Sequence, residues 1–251
     1  MKHNFSLKNN RKKSAFSLVE LSIVLIIIGL LIAGVTGGAS LIKSSQLRAV
    51  MSEARGFATA INGFYNQFGY LPGDYSTSIA GSSAGNADGA IQYYSSTATT
   101  PINEGRAAWI QMRGAGVLDS GMISATGSTA ASTVPAVTSF GTNVPASKIQ
   151  NAGWDLDYNT TTSQNVVVLT GPISSGTAAN TLVNGSQVSS ASITPTDALS
   201  IDSKIDDGNP VAGKIRGVLS SCVGIINSTQ SYLTTNSSKA CALSYQIDVN
   251  S

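Results

Sequence analysis

Apolar and polar positions divide the chain into three regimes. The first is an unbroken apolar run: after Glu20 no charge occurs until Lys43, leaving 22 residues, Leu21 to Ile42. A helix of that length crosses a bilayer core of about 30 Å. In the second regime apolar residues recur at three- and four-residue steps, at Leu47, Val50, Met51, Ala54, Phe57, Ala58, Ile61, Phe64, Tyr65 and Phe68. Arg48, Glu53, Arg55 and Asn62 occupy the opposite face of that pattern. The spacing predicts an amphipathic helix that continues the apolar one. Together residues 17–69 would span about 80 Å at 1.5 Å per residue. Gly29, Gly34, Gly37 and Gly38 interrupt the apolar half. The Gly37-Gly38 pair is read as a place where the helix loosens or where small residues let helices pack closely.

The third regime, from Gly69 onward, is rich in Gly, Ser, Thr, Ala and Asn, with short apolar runs. FGYLPGDY, Phe68 to Tyr75, combines a C-cap glycine, Gly69, with Pro-Gly-Asp turn chemistry. Residues 76–103 read as a long surface loop, and GNADGA within it lacks the lysine and spacing of a phosphate loop. Ile102 to Gly121 predicts a second helix, with Trp109 as a core anchor. Residues 124–147 form another polar connection. Strands are expected at Gln164–Thr170, Leu182–Val188 and Lys214–Leu219, where β-branched and apolar residues lie between turn signals. Pro195 to Gly213 predicts a short helix capped by Thr196, running to about Asp207 and stopped by Gly208 and Pro210.

Charge changes this picture in one respect. The formal net charge is +2, but Lys2, Lys8, Arg11, Lys12 and Lys13 all precede Phe16 and no acid does. The remainder carries 10 basic against 13 acidic residues, so it is net negative, and its basic residues are scattered rather than striped. Nucleic acid is therefore not expected as a partner. The single histidine, His3, lies in the basic leader, which removes histidine triads and histidine-ligated zinc from the body. No nucleophile–base spacing stands out either, and an enzyme is not expected.

The start KKSAFSLVELSIVLIIIGLLIAG, Lys12 to Gly34, raises a question of its own. A carboxylate beside an apolar run costs on the order of 2.5–3.5 kcal/mol on membrane-insertion scales, so Glu20 needs a partner or a purpose. The run is too long for a secretory h-region, and no clear A-x-A site follows it. These residues resemble the N-terminus of type IV pilins and type II secretion pseudopilins. The resemblance implies cleavage by a prepilin peptidase between Ala15 and Phe16, where Ala15 replaces the family's usual glycine. It implies N-methylation of Phe16, and Glu20 as the fifth mature residue, compensating the N-terminal amine of a neighbouring subunit. A charge pair away from water is strong and an unpaired charge is penalised, so the pair would select the axial register.

The organisation implied is a cleaved leader, 1–15; a transmembrane or filament-core half-helix, 16–42; an amphipathic half-helix, 43–69; and an exported head, 70–251. The fold class is α+β, pilin-like, with a mostly antiparallel sheet packed on the exported half of the first helix. The resemblance implies residence in the bacterial inner membrane with the head outside the cytoplasm, then a periplasmic pseudopilus or cell-surface pilus. The partners it implies are other pilins in a homo- or hetero-oligomeric filament, the prepilin peptidase, the inner-membrane assembly platform and, before assembly, membrane lipid. The leading function is that of a structural subunit; the alternative is a minor or tip pilin acting as an adhesin or binding module.

Cys222 and Cys241 are the only cysteines. In an exported head they form a plausible disulfide closing a loop worth roughly 3 kcal/mol; two buried free thiols are the other arrangement. Asp202, Asp206 and Asp207 crowd the end of the predicted short helix. No cofactor is required, but these carboxylates could take Ca²⁺ in a C-terminal loop, as in pseudopilins that resemble this chain, or could simply be solvated. Asp155, Asp157 and Asn159 resemble the start of an EF-hand loop but lack its glycine and distal glutamate.

Overall fold

The computed structural model describes residues 17–93, 103–124, 138–173, 190–226 and 229–248. The elements run α1 (Leu18–Phe68), α2 (Glu104–Gly114), β1 (Gly153–Asn159), β2 (Gln164–Thr170), α3 (Pro195–Ile205), β3 (Ile215–Val218), β4 (Val223–Ile226), β5 (Thr229–Tyr232) and β6 (Ala242–Gln246). The chain divides into two compact units, Met1–Ser44 and Ser45–Ser251, and the division falls inside α1. This is an α+β, pilin-like arrangement: a long N-terminal apolar helix and a C-terminal head with an antiparallel sheet.

α1 passes through Gly29, Gly34, Gly37 and Gly38 without a break. Within the first unit its apolar side chains are uncovered, Leu18 by 84% and Leu41 by 73%. In the second unit the same helix buries Leu47, Val50, Ala54, Phe57, Ala60, Ile61 and Phe64. Their three- and four-residue spacing puts them on one face, and that face forms the head's core. α1 ends at Gly69, whose φ of +74° suits glycine and whose N–H donates to the Tyr65 carbonyl at 2.7 Å.

Four strands form one antiparallel sheet in the order β1-β2-β6-β3, and β4 and β5 form a separate hairpin. Trp154, Leu156, Val167, Leu169, Ile215, Leu243 and Tyr245 join the α1 face in a single cluster. Phe57 stands edge-on to both Trp109 and Trp154, with ring centroids 5.0 and 5.5 Å apart. Trp109 is thus a fully buried core residue.

Several expectations shift. The second helix is shorter than Ile102 to Gly121. Asn103 caps it by accepting from the Arg106 amide at 3.0 Å, and it stops at Gly114 ahead of the left-handed Gly116. α3 is capped by Thr194 rather than Thr196. Pro195 takes the first helical position, where its missing N–H costs nothing, and Thr194 and Asp197 bond reciprocally at 3.2 and 2.8 Å. α3 ends at Ile205, with Asp206 as its C-cap, rather than at about Asp207. The region after Asp74 is not simply a surface loop, since Ala90, Ile91 and Tyr93 are buried. Asp155, Asp157 and Asn159 lie in strand β1 rather than in a calcium loop. Glu53, expected on the solvated face of α1, is half-buried and bonded to the head. Leu182–Val188, expected as a strand, lies outside the described residues.

Candidate functional site

At the N-terminus, Ala15 and Phe16 lie outside the described residues. Glu20 does not project alone. Its Oε2 accepts from the Ser17 backbone N–H at 2.9 Å, while Ser17 Oγ accepts from the Val19 N–H at 3.3 Å. Ser17 and Glu20 therefore cap the start of α1 much as a capping box does, with the Ser17 hydroxyl on the second rather than the third helical amide. Sequence reasoning missed this S-x-x-E pattern, although it was legible. A carboxylate there satisfies a backbone donor and complements the positive end of the helix dipole. The apolar stretch that follows is long and apolar enough to cross a membrane.

The head holds two groups of carboxylates close enough to share a cation. In the first, Asp202, Asp206 and Asp207 present oxygens within 4.8 Å of one another. Each oxygen set already has protein donors. Asp202 accepts from the Tyr232 hydroxyl at 2.7 Å and the Gly208 amide at 3.2 Å. Asp206 accepts from the Ile215 amide at 3.0 Å and from the Lys214 amide, and Asp207 accepts from the Asn209 amide at 2.8 Å. The Gly217 amide donates to the Pro210 carbonyl at 2.9 Å. The Asp-rich turn thus covers the outer edge of β3, which would otherwise offer unpaired backbone groups. Burial pushes the Asp202 carboxyl up to about 6, although Tyr232 and Gly208 favour its ionised form.

The second group, Asp74, Asp88 and Glu104, was not anticipated. It gathers three separate sequence motifs, LPGD, GNADG and NEG. Asp74 accepts from the Asp88 and Gly89 amides at 2.9 and 2.8 Å. Glu104, fully buried, accepts from the Asn86 and Gln92 amides at 3.1 and 2.9 Å. The approach is close: a Cβ on Gly73 would stand 2.2 Å from the Glu104 carbonyl, and one on Gly105 would stand 2.3 Å from that of Leu156. Burial drives Glu104 up to about 8 against its two amide donors, and the acids at Asp74 and Asp88 push in the same direction. Asp74 is raised as well, again chiefly by burial. Three acids 14 to 30 residues apart, on a turn, a loop and a helix start, leave no period in the sequence for pattern reading to catch.

A further buried carboxylate, Asp155 on β1, lies under the influence of Arg106 on α2. Burial raises it to about 6, and the Arg106 charge, the Leu156 amide and the Trp109 indole favour its ionised form. Asp155 Oδ2 and Trp109 Nε1 nevertheless complete no hydrogen bond. Arg106 Nη2 donates to the Tyr93 hydroxyl at 2.8 Å. At the C-terminal end Cys222 and Cys241 form a disulfide, and both are fully buried.

The fold and the N-terminal segment together define a pilin-like class of protein. Residues 10–36 match the prokaryotic N-terminal methylation motif, the signature of type IV pilins and pseudopilins. Proteins with this signature are structural subunits rather than enzymes, and an apolar N-terminal helix carrying it is consistent with membrane anchoring. No curated protein and no solved structure matches the chain.

Proposed function

We propose that this chain is a prepilin-like structural subunit of a type IV pilus or a type II secretion pseudopilus. The carrying observation is that the methylation motif at residues 10–36 leads into a helix whose apolar side chains have no cover within their own unit. Such a surface needs lipid or other helices around it. On this reading a leader, 1–15, is removed after Ala15, Phe16 is methylated, and residues 16–42 sit first in the inner membrane and then in a filament core with other pilins. Glu20 exchanges its bond to Ser17 for the new amine of a neighbouring subunit. Residues 43–69 hold the head, which extends to residue 251. Asp202, Asp206 and Asp207 are the oxygens that would take Ca²⁺, sharing it with the amide bonds they already accept. A thermal melt unchanged by calcium or chelator would remove that part.

The decisive experiment is intact mass and N-terminal sequencing of the protein from membrane and sheared-filament fractions. A mature chain beginning at N-methyl Phe16 and recovered in filaments supports the reading. A chain beginning at Met1 and confined to the membrane overturns it.

A further inference from the structure

A hollow of about 400 Å³ lies in the head where three segments meet. They are the end of α1 (Tyr65, Tyr70, Leu71), the loop at Ala87 and Gly89, and the β1–β2 turn (Ser163, Gln164). All three adopt left-handed backbone where they line it: Gly69 at φ +74°, Ala87 at +60°, Gly89 at +86° and Ser163 at +54°. Ala87 and Ser163 are not glycines, and strained backbone of this kind persists only where the surroundings enforce it, often at ligand sites.

The walls are held from behind. Tyr70 packs on Tyr75 at 5.5 Å, and Tyr75 in turn packs on Phe68 at 5.3 Å. Asn165 fixes the rim, accepting from the Ile91 amide at 2.7 Å and donating to the Gly89 carbonyl at 2.9 Å. The Ala87 and Gly89 amides are bonded to Asp74, at 3.1 Å to its carbonyl and 2.8 Å to its carboxylate. The hollow therefore offers side chains rather than backbone. The hydroxyls of Tyr65, Tyr70 and Ser163 and the side-chain amide of Gln164 make no hydrogen bond to the described residues.

This chemistry selects among ligands. No lysine or arginine lines the hollow, and the acidic residue Asp74 is among its lining residues, so phosphates and other anions find no cationic partner there. With the rim amides bonded, an added peptide strand finds no ladder there. Tyrosine rings beside neutral hydroxyl and amide groups suit a ligand with apolar C–H faces and many hydroxyls. We propose that this hollow is a binding site for a neutral saccharide, with Tyr65 and Tyr70 as its aromatic wall and Ser163 and Gln164 as its hydrogen-bonding edge. The proposal concerns the head alone and does not depend on processing or assembly.

The test is saturation-transfer NMR on the full-length protein in a non-glycosidic detergent, with maltotetraose, chitotetraose and lactose as probes. At least one should receive saturation. Tyr70→Ala and Gln164→Ala should each weaken it by about tenfold or more, and Tyr70→Phe by less. Ile225→Ala, at an exposed position on the separate β4–β5 hairpin, should leave it unchanged. Tyr70 is itself exposed, so its variants should melt as the parent does. No transfer to any of the three probes, or equal transfer in the parent and in a Tyr70→Ala/Gln164→Ala variant with an unchanged melt, would overturn the proposal.

Discussion

The Trp154 indole N–H donates to Glu53 Oε2 at 2.8 Å, tying the amphipathic part of α1 to the first strand of the sheet. The same oxygen accepts from Ser147 Oγ at 2.8 Å, and Oε1 accepts from the Lys148 amide at 3.0 Å. One carboxylate thus closes three bonds, one of them from a fully buried tryptophan. Glu53→Ala leaves that indole without an acceptor, which should cost about 2 kcal/mol. For a head of this size the loss lowers Tm by roughly 4–8 °C. Glu53→Gln keeps one acceptor and should lose less. A calorimetric melt with an unchanged midpoint in Glu53→Ala would refute this role.

The buried acids set the direction of the pH dependence. Glu104 moves from 4.5 to about 8 on folding, and Asp155 and Asp202 from 3.8 to about 6. Between these limits the native state holds protons that the unfolded chain has released. Unfolding free energy therefore falls as pH rises. The contribution is complete below about pH 4 and is lost as pH climbs through 6 for the two aspartates and 8 for Glu104. The head should melt at a higher temperature at pH 5 than at pH 8, and Glu104→Gln should flatten the upper part of that slope. A midpoint that rises between pH 5 and pH 8 would count against this account.

Tyr232 and Asp202 give a more local test. The tyrosine hydroxyl donates to a buried carboxylate at 2.7 Å, linking β5 to α3. A hydrogen bond to a charged acceptor contributes about 1.5–3 kcal/mol, so Tyr232→Phe should lose that much at pH 7, where Asp202 is mostly ionised. The loss should shrink at pH 5, where Asp202 is protonated in parent and variant alike. Urea unfolding of both proteins at the two pH values would measure the difference, and an equal loss at both would show that the charge plays no part.

The Cys222–Cys241 bridge spans 19 residues, most of them in the β4–β5 hairpin. Removing it with a Cys222→Ala/Cys241→Ala pair frees the unfolded chain and should cost roughly 3 kcal/mol. Reduction of the parent should lower the melting midpoint similarly. An unchanged midpoint under both treatments would mean that the hairpin is held by its packing alone.

Periodicity located α1 because a helix that buries one face in the head must repeat its apolar residues at three and four. β2 was legible with its bounds because its run of valines is buried and lies between turn residues. β1 was not, because Asp155 and Asp157 break the apolar pattern of a strand. Their charges are tolerable there only because Arg106, Tyr93 and nearby amides face them. Glu53 misled for the same reason: a charge at a helical position reads as solvated until its partners, about a hundred residues away in sequence, are known.

By itself the sequence determined the apolar run, the basic stretch ahead of it, the Phe16 and Glu20 spacing and the presence of two cysteines. Each of these depends on neighbours along the chain or on composition. Tertiary structure alone decided that Asp74, Asp88 and Glu104 meet, that the Asp-rich turn covers the β3 edge, and that Tyr65, Tyr70, Ser163 and Gln164 line one hollow. Those relationships arise when backbone segments distant in sequence approach closely, and their energy comes from burial and from donors that no local pattern supplies.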